Sequence, residues 1–264
     1  RTWTATDACG NAVTASQTLT VEDTAAPELV GVPDSVLVSC DAIPAAAIVT
    51  ASDTCDSTLT VDFSETSDVV EGCGTIVRTW TVTDSCGNST SAEQTIDVED
   101  VEAPVLAGVP ADETVACDAI PAAAIVTASD NCDSTLTVDF SETSDVVEGC
   151  GTIVRTWTVT DECANTAEAS QTLTVEDTVA PVLAGVPADE TVACDAIPAA
   201  AIVTAADNCD PTLVVDFSEV NSVVEGCGTI VRTWTVADSS GNSATASQTL
   251  TVEDTVAPVL AGVP

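Results

Sequence analysis

The tetrapeptide Arg-Thr-Trp-Thr opens the chain at Arg1 and returns at Arg78, Arg155 and Arg232, at intervals of 77 residues. These four arginines are the only basic side chains, because Lys and His are absent, and each of the four tryptophans (Trp3, Trp80, Trp157, Trp234) follows one of them by two positions. A fixed period of this size specifies a tandem array of small modules. The joints fall at Ala26-Pro27, Ala103-Pro104, Ala180-Pro181 and Ala257-Pro258, since proline lacks a ladder donor and holds the preceding residue extended. The expected division is three modules, 27–103, 104–180 and 181–257. Residues 1–26 would be the tail of an earlier module and 258–264 the start of a further one, as in a window cut from a longer array.

Within 104–180, short β-type runs alternate with turn residues. Pro104–Val109, Glu113–Cys117 and Ala124–Ser129 are runs of this kind. Leu136, Val138 and Phe140 share one strand face. Thr152–Thr160 carries Arg155 and Trp157, and Ala169, Gln171, Leu173 and Val175 alternate along the last strand. No helical period is present. The pattern predicts an all-β chain, a tandem array of Ig-like Greek-key β-sandwich modules. Aromatic residues are only 3% of the chain, so each core must be mostly aliphatic around one Trp and one Phe. Cores that small call for covalent staples.

Twelve cysteines supply them, recurring at Cys40, Cys55, Cys73, Cys86, then Cys117, Cys132, Cys150, Cys163, then Cys194, Cys209, Cys227, with Cys9 ahead of the first set. The absence of Cys-x-x-Cys pairs favours disulfides in an oxidising compartment over zinc. An Ig-like order of loops predicts nested bridges within each module: Cys117–Cys163 and Cys132–Cys150, with Cys40–Cys86, Cys55–Cys73 and Cys209–Cys227 as equivalents. Sequential pairing, Cys117–Cys132 with Cys150–Cys163, is the rival. Ser240 stands where the period calls for a fourth cysteine, which leaves Cys194 single under nesting and Cys227 single under sequential pairing.

Forty-three acids against four bases give a net charge of −39. Such a surface repels nucleic acid and anionic membrane faces and suits cations. Calcium is the one cofactor the pattern suggests, because hard cations take several loop oxygens. The expected ligands lie at the joints, where the module ends Glu99, Asp100, Glu176, Asp177, Glu253 and Asp254 should meet the turn acids of their own module. Those turn acids are Asp53 and Asp56, then Asp130 and Asp133, then Asp207 and Asp210, with Asp118, Asp161, Asp195 and Asp238 approaching from the next module. Turn capping and solubility are the simpler use of the same acids. Strand phase predicts ion pairs Arg78–Glu65, Arg155–Glu142 and Arg232–Glu219 beside the core tryptophans. Gln94, Gln171 and Gln248 should bond neighbouring backbone. Asn88-Ser89-Thr90 is an N-glycosylation sequon. Without His or Lys, a Ser-His-Asp triad, a Cys-His pair and a Schiff base are impossible, so the chain is read as no enzyme.

Three segments, taken in order, carry a resemblance. They are Ala-Pro-Val-Leu-Ala-Gly-Val-Pro-Ala-Asp-Glu-Thr-Val-Ala-Cys-Asp, then Asp-Asn-Cys-Asp, then Arg-Thr-Trp-Thr-Val-Thr-Asp-x-Cys with Gln-Thr-Leu-Thr-Val-Glu-Asp. Over the whole chain they resemble the hyalin-repeat (HYR-like) modules of very long bacterial surface and secreted proteins, especially those of gliding bacteria that use the type IX export route. The resemblance implies an extracellular stalk or filament segment that projects or links adhesive parts. It touches neighbouring modules of its own chain, with self-association into filaments as a further partner mode and with no nucleic acid and no membrane insertion. A glycan- or surface-binding module and a self-associating matrix fibre are the alternatives. The same resemblance implies O-glycosylation at Asp-Thr-apolar triplets, hence at Thr24, Thr178 and Thr255. Departures from the pattern are Ser240 and the Cys163-Ala164-Asn165 turn, which puts the hairpin type there in question.

Overall fold

The computed structural model describes residues 1–259 and 261–262 and is all-β apart from a 3-10 turn at Cys40–Ala42. Of the segment 258–264 read as the start of a further module, Leu260, Val263 and Pro264 lie outside the described residues. The chain begins with a hairpin of β1 (Thr2–Thr6) and β2 (Ala12–Ser16). The first repeat then runs β3 (Glu28–Val30), β4 (Val36–Ser39), β5 (Thr50–Ser52), β6 (Val61–Ser67), β7 (Gly74–Thr83) and β8 (Ser89–Glu99). The second runs β9 (Val105–Ala107), β10 (Glu113–Ala116), β11 (Thr127–Ser129), β12 (Val138–Ser144), β13 (Gly151–Thr160) and β14 (Thr166–Glu176). The third runs β15 (Val182–Ala184), β16 (Glu190–Ala193), β17 (Thr204–Ala206), β18 (Val215–Asn221), β19 (Gly228–Ala237) and β20 (Ser243–Glu253).

The chain packs as two compact units, both of which draw on the middle repeat. One unit is Arg1–Val105 with Ala128–Thr137 and Val159–Ala167; the other is Leu106–Thr127, Val138–Thr158 and the chain from Glu168 onward.

The first and third repeats are each a small sandwich of a two-stranded and a four-stranded sheet, and the middle repeat carries sheets of the same two kinds, β11-β9 and β10-β14-β13-β12. In the first repeat β3 pairs antiparallel with β5, and the larger sheet has the order β4-β8-β7-β6. The third repeat has the same plan, β15 with β17 and β16-β20-β19-β18. The long strands form where apolar residues alternate. Ile76, Arg78, Trp80 and Val82 are buried along β7, while Val77, Thr79 and Thr81 between them stay partly exposed. Trp80 lies opposite Phe63 in register, with ring centroids 5.5 Å apart. Ile76, Ile96 and Val98 form the apolar cluster, with Val38, Cys40 and Val69 packed against it.

The strand between β3 and the 3-10 turn sets the topology. β4 runs parallel to β8, with Val36 opposite Ile96 and Ser39 opposite Glu99. β16 and β20 repeat this, Glu190 opposite Leu250. Cys40, which follows β4, therefore lies where β8 ends, at the trailing end of the repeat. The nested scheme placed it beside the β7–β8 hairpin that carries Cys86, at the opposite end.

Candidate functional site at the repeat joints

Two cysteines lie at each end of a repeat. Cys40 and Cys73 share the trailing end, where a Cβ built on Gly72 would meet Cys40 Cβ at 3.4 Å. Cys55 and Cys86 share the leading end, where the Ser85 amide donates to Asp56 Oδ2 at 3.1 Å. The bridges that form cross the joints. In the first unit Cys40 is bonded to Cys132 and Cys73 to Cys163, with Cα separations of 6.1 and 5.6 Å. In the second unit Cys117 is bonded to Cys209, with Cα atoms 6.0 Å apart. This corrects the nested pairs Cys40–Cys86, Cys55–Cys73, Cys117–Cys163, Cys132–Cys150 and Cys209–Cys227, and the sequential pairs as well. The parallel β4 moves one cysteine of each supposed pair to the far end of its module. Cys9, Cys55, Cys86, Cys150, Cys194 and Cys227 are free and exposed. Bridges run from n to n+92 or n+90. Of the free cysteines, Cys150 alone has its periodic partner position inside the chain, and that position is Ser240.

Other contacts accompany the sulfur. Glu71 sits at φ 41°, and its carboxylate accepts the Ser134 amide at 2.9 Å and the Ser134 hydroxyl at 3.3 Å. One repeat on, Glu148 at φ 48° accepts from Thr212 Oγ1 at 3.0 Å. Pro211 occupies the place of Ser134 there and has no amide to give. Gly149, at φ 82°, approaches the Cys117–Cys209 bridge so closely that an added Cβ would come within 2.5 Å of Cys209 Cβ. Asn88, Asn165 and Asn242 each donate from Nδ2 to the backbone oxygen of the preceding linker aspartate, Asp23, Asp100 and Asp177 respectively, at 3.0–3.1 Å.

The acids gather at the same joints: Asp161 and Asp238 approach Asp100 and Asp177 from the next module as expected, whereas the turn acids come from a different module than expected. Asp100 meets Asp130 of the following repeat, and Asp53 meets Asp23 of the preceding linker, instead of Asp100 meeting Asp53. The reason is again that the linker leaves the trailing end while the turn acids occupy the leading end. Asp177, Asp207 and Asp238 bring ligand oxygens within 4.8 Å of one another. Asp100 and Asp177 are buried, and each has an Oδ2 without a hydrogen-bond partner. Burial, opposed by the Glu102 amide and reinforced by the charges of Asp130 and Asp161, holds the Asp100 carboxyl above its ordinary value. Burial works against ionisation of Asp130 too, but the Cys132 and Asp133 amides outweigh it and lower that carboxyl.

The remaining acids are placed otherwise. Glu99, Glu176, Asp118 and Asp195 are exposed and belong to none of these clusters. Asp118 receives a 3.4 Å bond from Asn208 across the joint. Asp56 and Asp133 tie their turn to the β-hairpin instead, Asp133 accepting the Thr135 and Glu162 amides at 2.8 and 3.3 Å.

Three of the arginines, Arg78, Arg155 and Arg232, are buried and each is paired with a glutamate. Arg78 Nε donates to Glu65 at 2.7 Å and Nη2 donates to Pro44 O at 2.8 Å. Arg155–Glu142 and Arg232–Glu219 repeat the pair at 2.7 and 2.9 Å. Gln94, Gln171 and Gln248 donate to backbone oxygens of Asp34, Ala111 and Ala188. The Asn88 nitrogen donates to Asp23 O and Asp84 Oδ2, so a glycan there would replace one of the two donor hydrogens and break one of these bonds. Thr24, Thr178 and Thr255 are exposed. The turn at Ala164 keeps the hairpin form of its glycine counterparts, with φ 70° against 93° at Gly87.

Comparison with known proteins places these features in context. The family described as an HYR-like domain with 4 cysteines matches residues 29–98, 105–175 and 182–252. No curated protein matches the sequence. Among solved structures, protocadherin gamma B2 extracellular cadherin domains 3–6 align at 16% identity with a TM-score of 0.40, over 96% of this chain and 83% of that one. Drosophila N-cadherin EC1–4 aligns at 12% identity with a TM-score of 0.31, over 87% and 76%. The protocadherin gamma B4 extracellular domain aligns at 19% identity with a TM-score of 0.35; this chain spans 55% of its length.

Proposed function

The chain belongs to the family of HYR-like domains with four cysteines, and on that premise we propose that it is a non-catalytic, tension-bearing segment of an extracellular bacterial surface protein. It holds adhesive parts away from the cell as a stalk. The observation that carries this reading is that bridges cross the joints instead of closing single repeats. A bridge inside a module protects that module alone. A bridge from one module to the next transmits force past the linker, and each closes a loop of about 90 residues. On the chain-entropy account such a loop is worth about 4–5 kcal/mol. Bridges of this kind belong to an oxidising exterior. The acidic joints add oxygen donors suited to calcium, and the exposed Thr24, Thr178 and Thr255 suit O-glycans.

Stretching single molecules between their termini tests the proposal. With the bridges intact, the path through Cys40–Cys132 and Cys117–Cys209 leaves roughly 110 residues free to extend, or about 380 Å. After reduction the full chain extends to about 900 Å. Bridges confined to single repeats would give about 540 Å before reduction, and that length would end the proposal.

A further inference from the structure

We propose that Asp177, Asp207 and Asp238 form a calcium site that clamps the joint between the second and third repeats. Asp177 follows β14 in one repeat, whereas Asp207 follows β17 and Asp238 follows β19 in the next. Asp177 and Asp238 are both 7% exposed. Each carboxylate is pre-aimed. Asp177 Oδ1 accepts the Val179 amide at 3.0 Å, and Asp207 Oδ1 accepts the Cys209 and Asp210 amides at 2.8 and 3.1 Å. The Asn242 amide and side chain hold Asp238 at 2.8 and 2.9 Å. Asp177 Oδ2 and Asp207 Oδ2 are then left buried with no donor, within the same cluster.

Two buried carboxylates and a half-buried third at this spacing need a counter-charge, and no salt bridge to them is formed among the described residues. Lys and His are absent, and Arg155 and Arg232 are committed to Glu142 and Glu219. An all-oxygen donor set selects a hard divalent cation. Three carboxylates from separate loops suit calcium's flexible coordination over the rigid, water-retaining octahedron of magnesium. Zinc is disfavoured because the nearby sulfurs, Cys117 and Cys209, are bonded to each other.

The residues recur at fixed offsets of 30 and 61 from the linker aspartate. Asp100, Asp130 and Asp161 stand in the same relation, and Asp100 Oδ2 is again buried and unpartnered. The inference deepens the stalk reading yet fails separately from it, since chelation leaves the disulfides intact and reduction leaves the carboxylates.

The test uses the 1–264 chain after treatment with EDTA and dialysis, titrated with calcium or magnesium by calorimetry and followed by thermal melting. Calcium should bind at least at the two joints whose linker aspartates, Asp100 and Asp177, carry an unpartnered buried oxygen, it should raise Tm more than magnesium does, and Asp207→Asn should abolish one ion or weaken it by roughly tenfold or more. Should Asp207→Asn fail to fold, Asp238→Asn and the calcium dependence of the unmutated chain's Tm decide the matter. A Tm indifferent to millimolar calcium, or one that rises on acidification instead, would overturn the site. So would full stoichiometry retained in Asp207→Asn.

Discussion

Cys150 Sγ lies 2.8 Å from Ser240 Oγ, in the place where one repeat earlier Cys73 is bridged to Cys163. One joint therefore carries two staples and the next carries one. Ser240→Cys should close a fourth bridge. Thiol titration of the unfolded, unreduced chain should fall from six free cysteines to five. Stability should rise by about 2–4 kcal/mol, the usual range for a disulfide. A rise to seven free thiols would show that the two positions are not held in bonding geometry.

Ala164 occupies a left-handed position that its counterparts fill with glycine. Space is not the obstacle there, because a Cβ added at Gly87 would meet nothing within 4 Å. The cost is backbone strain alone. Ala164→Gly should stabilise by about 0.5–1 kcal/mol and Gly87→Ala should destabilise by about the same. Denaturant midpoints for the pair should move in opposite directions.

Arg155→Met removes a buried guanidinium from Glu142 and from Pro121 O, 2.6 Å away. Glu142 is 41% exposed and can return to water, so the loss is smaller than for a fully buried pair. A cost of about 1.5–3 kcal/mol in chemical denaturation is expected, with the orphaned carbonyl supplying part of it.

Acid should weaken the hairpin that closes on Asp145. The Thr152 amide, joined by the Thr152 hydroxyl, lowers this carboxyl from 3.8. A lowered folded-state value means that the stabilisation is complete above the unfolded value and is lost as pH falls through the folded one. Stability referred to Asp145→Asn should thus be constant from neutral pH down to about pH 5 and shrink below about pH 4. A difference that grew on acidification would reverse the assignment.

Strand alternation is a local property. The sequence therefore showed the 77-residue period, the long β7-type strand and the shared face of Arg78 and Trp80. Glu65 could be placed for the same reason, and it is the register partner of Arg78. Alternation does not encode the direction in which two strands pair, however, and β4 beside β8 is parallel. That one relation sends Cys40 to the trailing end and makes Cys132 its partner. In a periodic sequence a partner in the same repeat and one 77 residues on look alike. The turn acids were misassigned through the same shift: the joint and the hairpin acids Asp161 and Asp238 were legible, but the repeat that supplies Asp130 and Asp207 was not. The loss of Ser134's amide at Pro211 gains meaning only once Glu71 is seen to reach across.

The most direct measurement is peptide mapping of the unreduced chain by mass spectrometry. The structure predicts linked peptides joining Cys40 to Cys132, Cys73 to Cys163 and Cys117 to Cys209, with Cys150 recovered as a free thiol. Peptides joining Cys40 to Cys86 or Cys132 to Cys150 would contradict it.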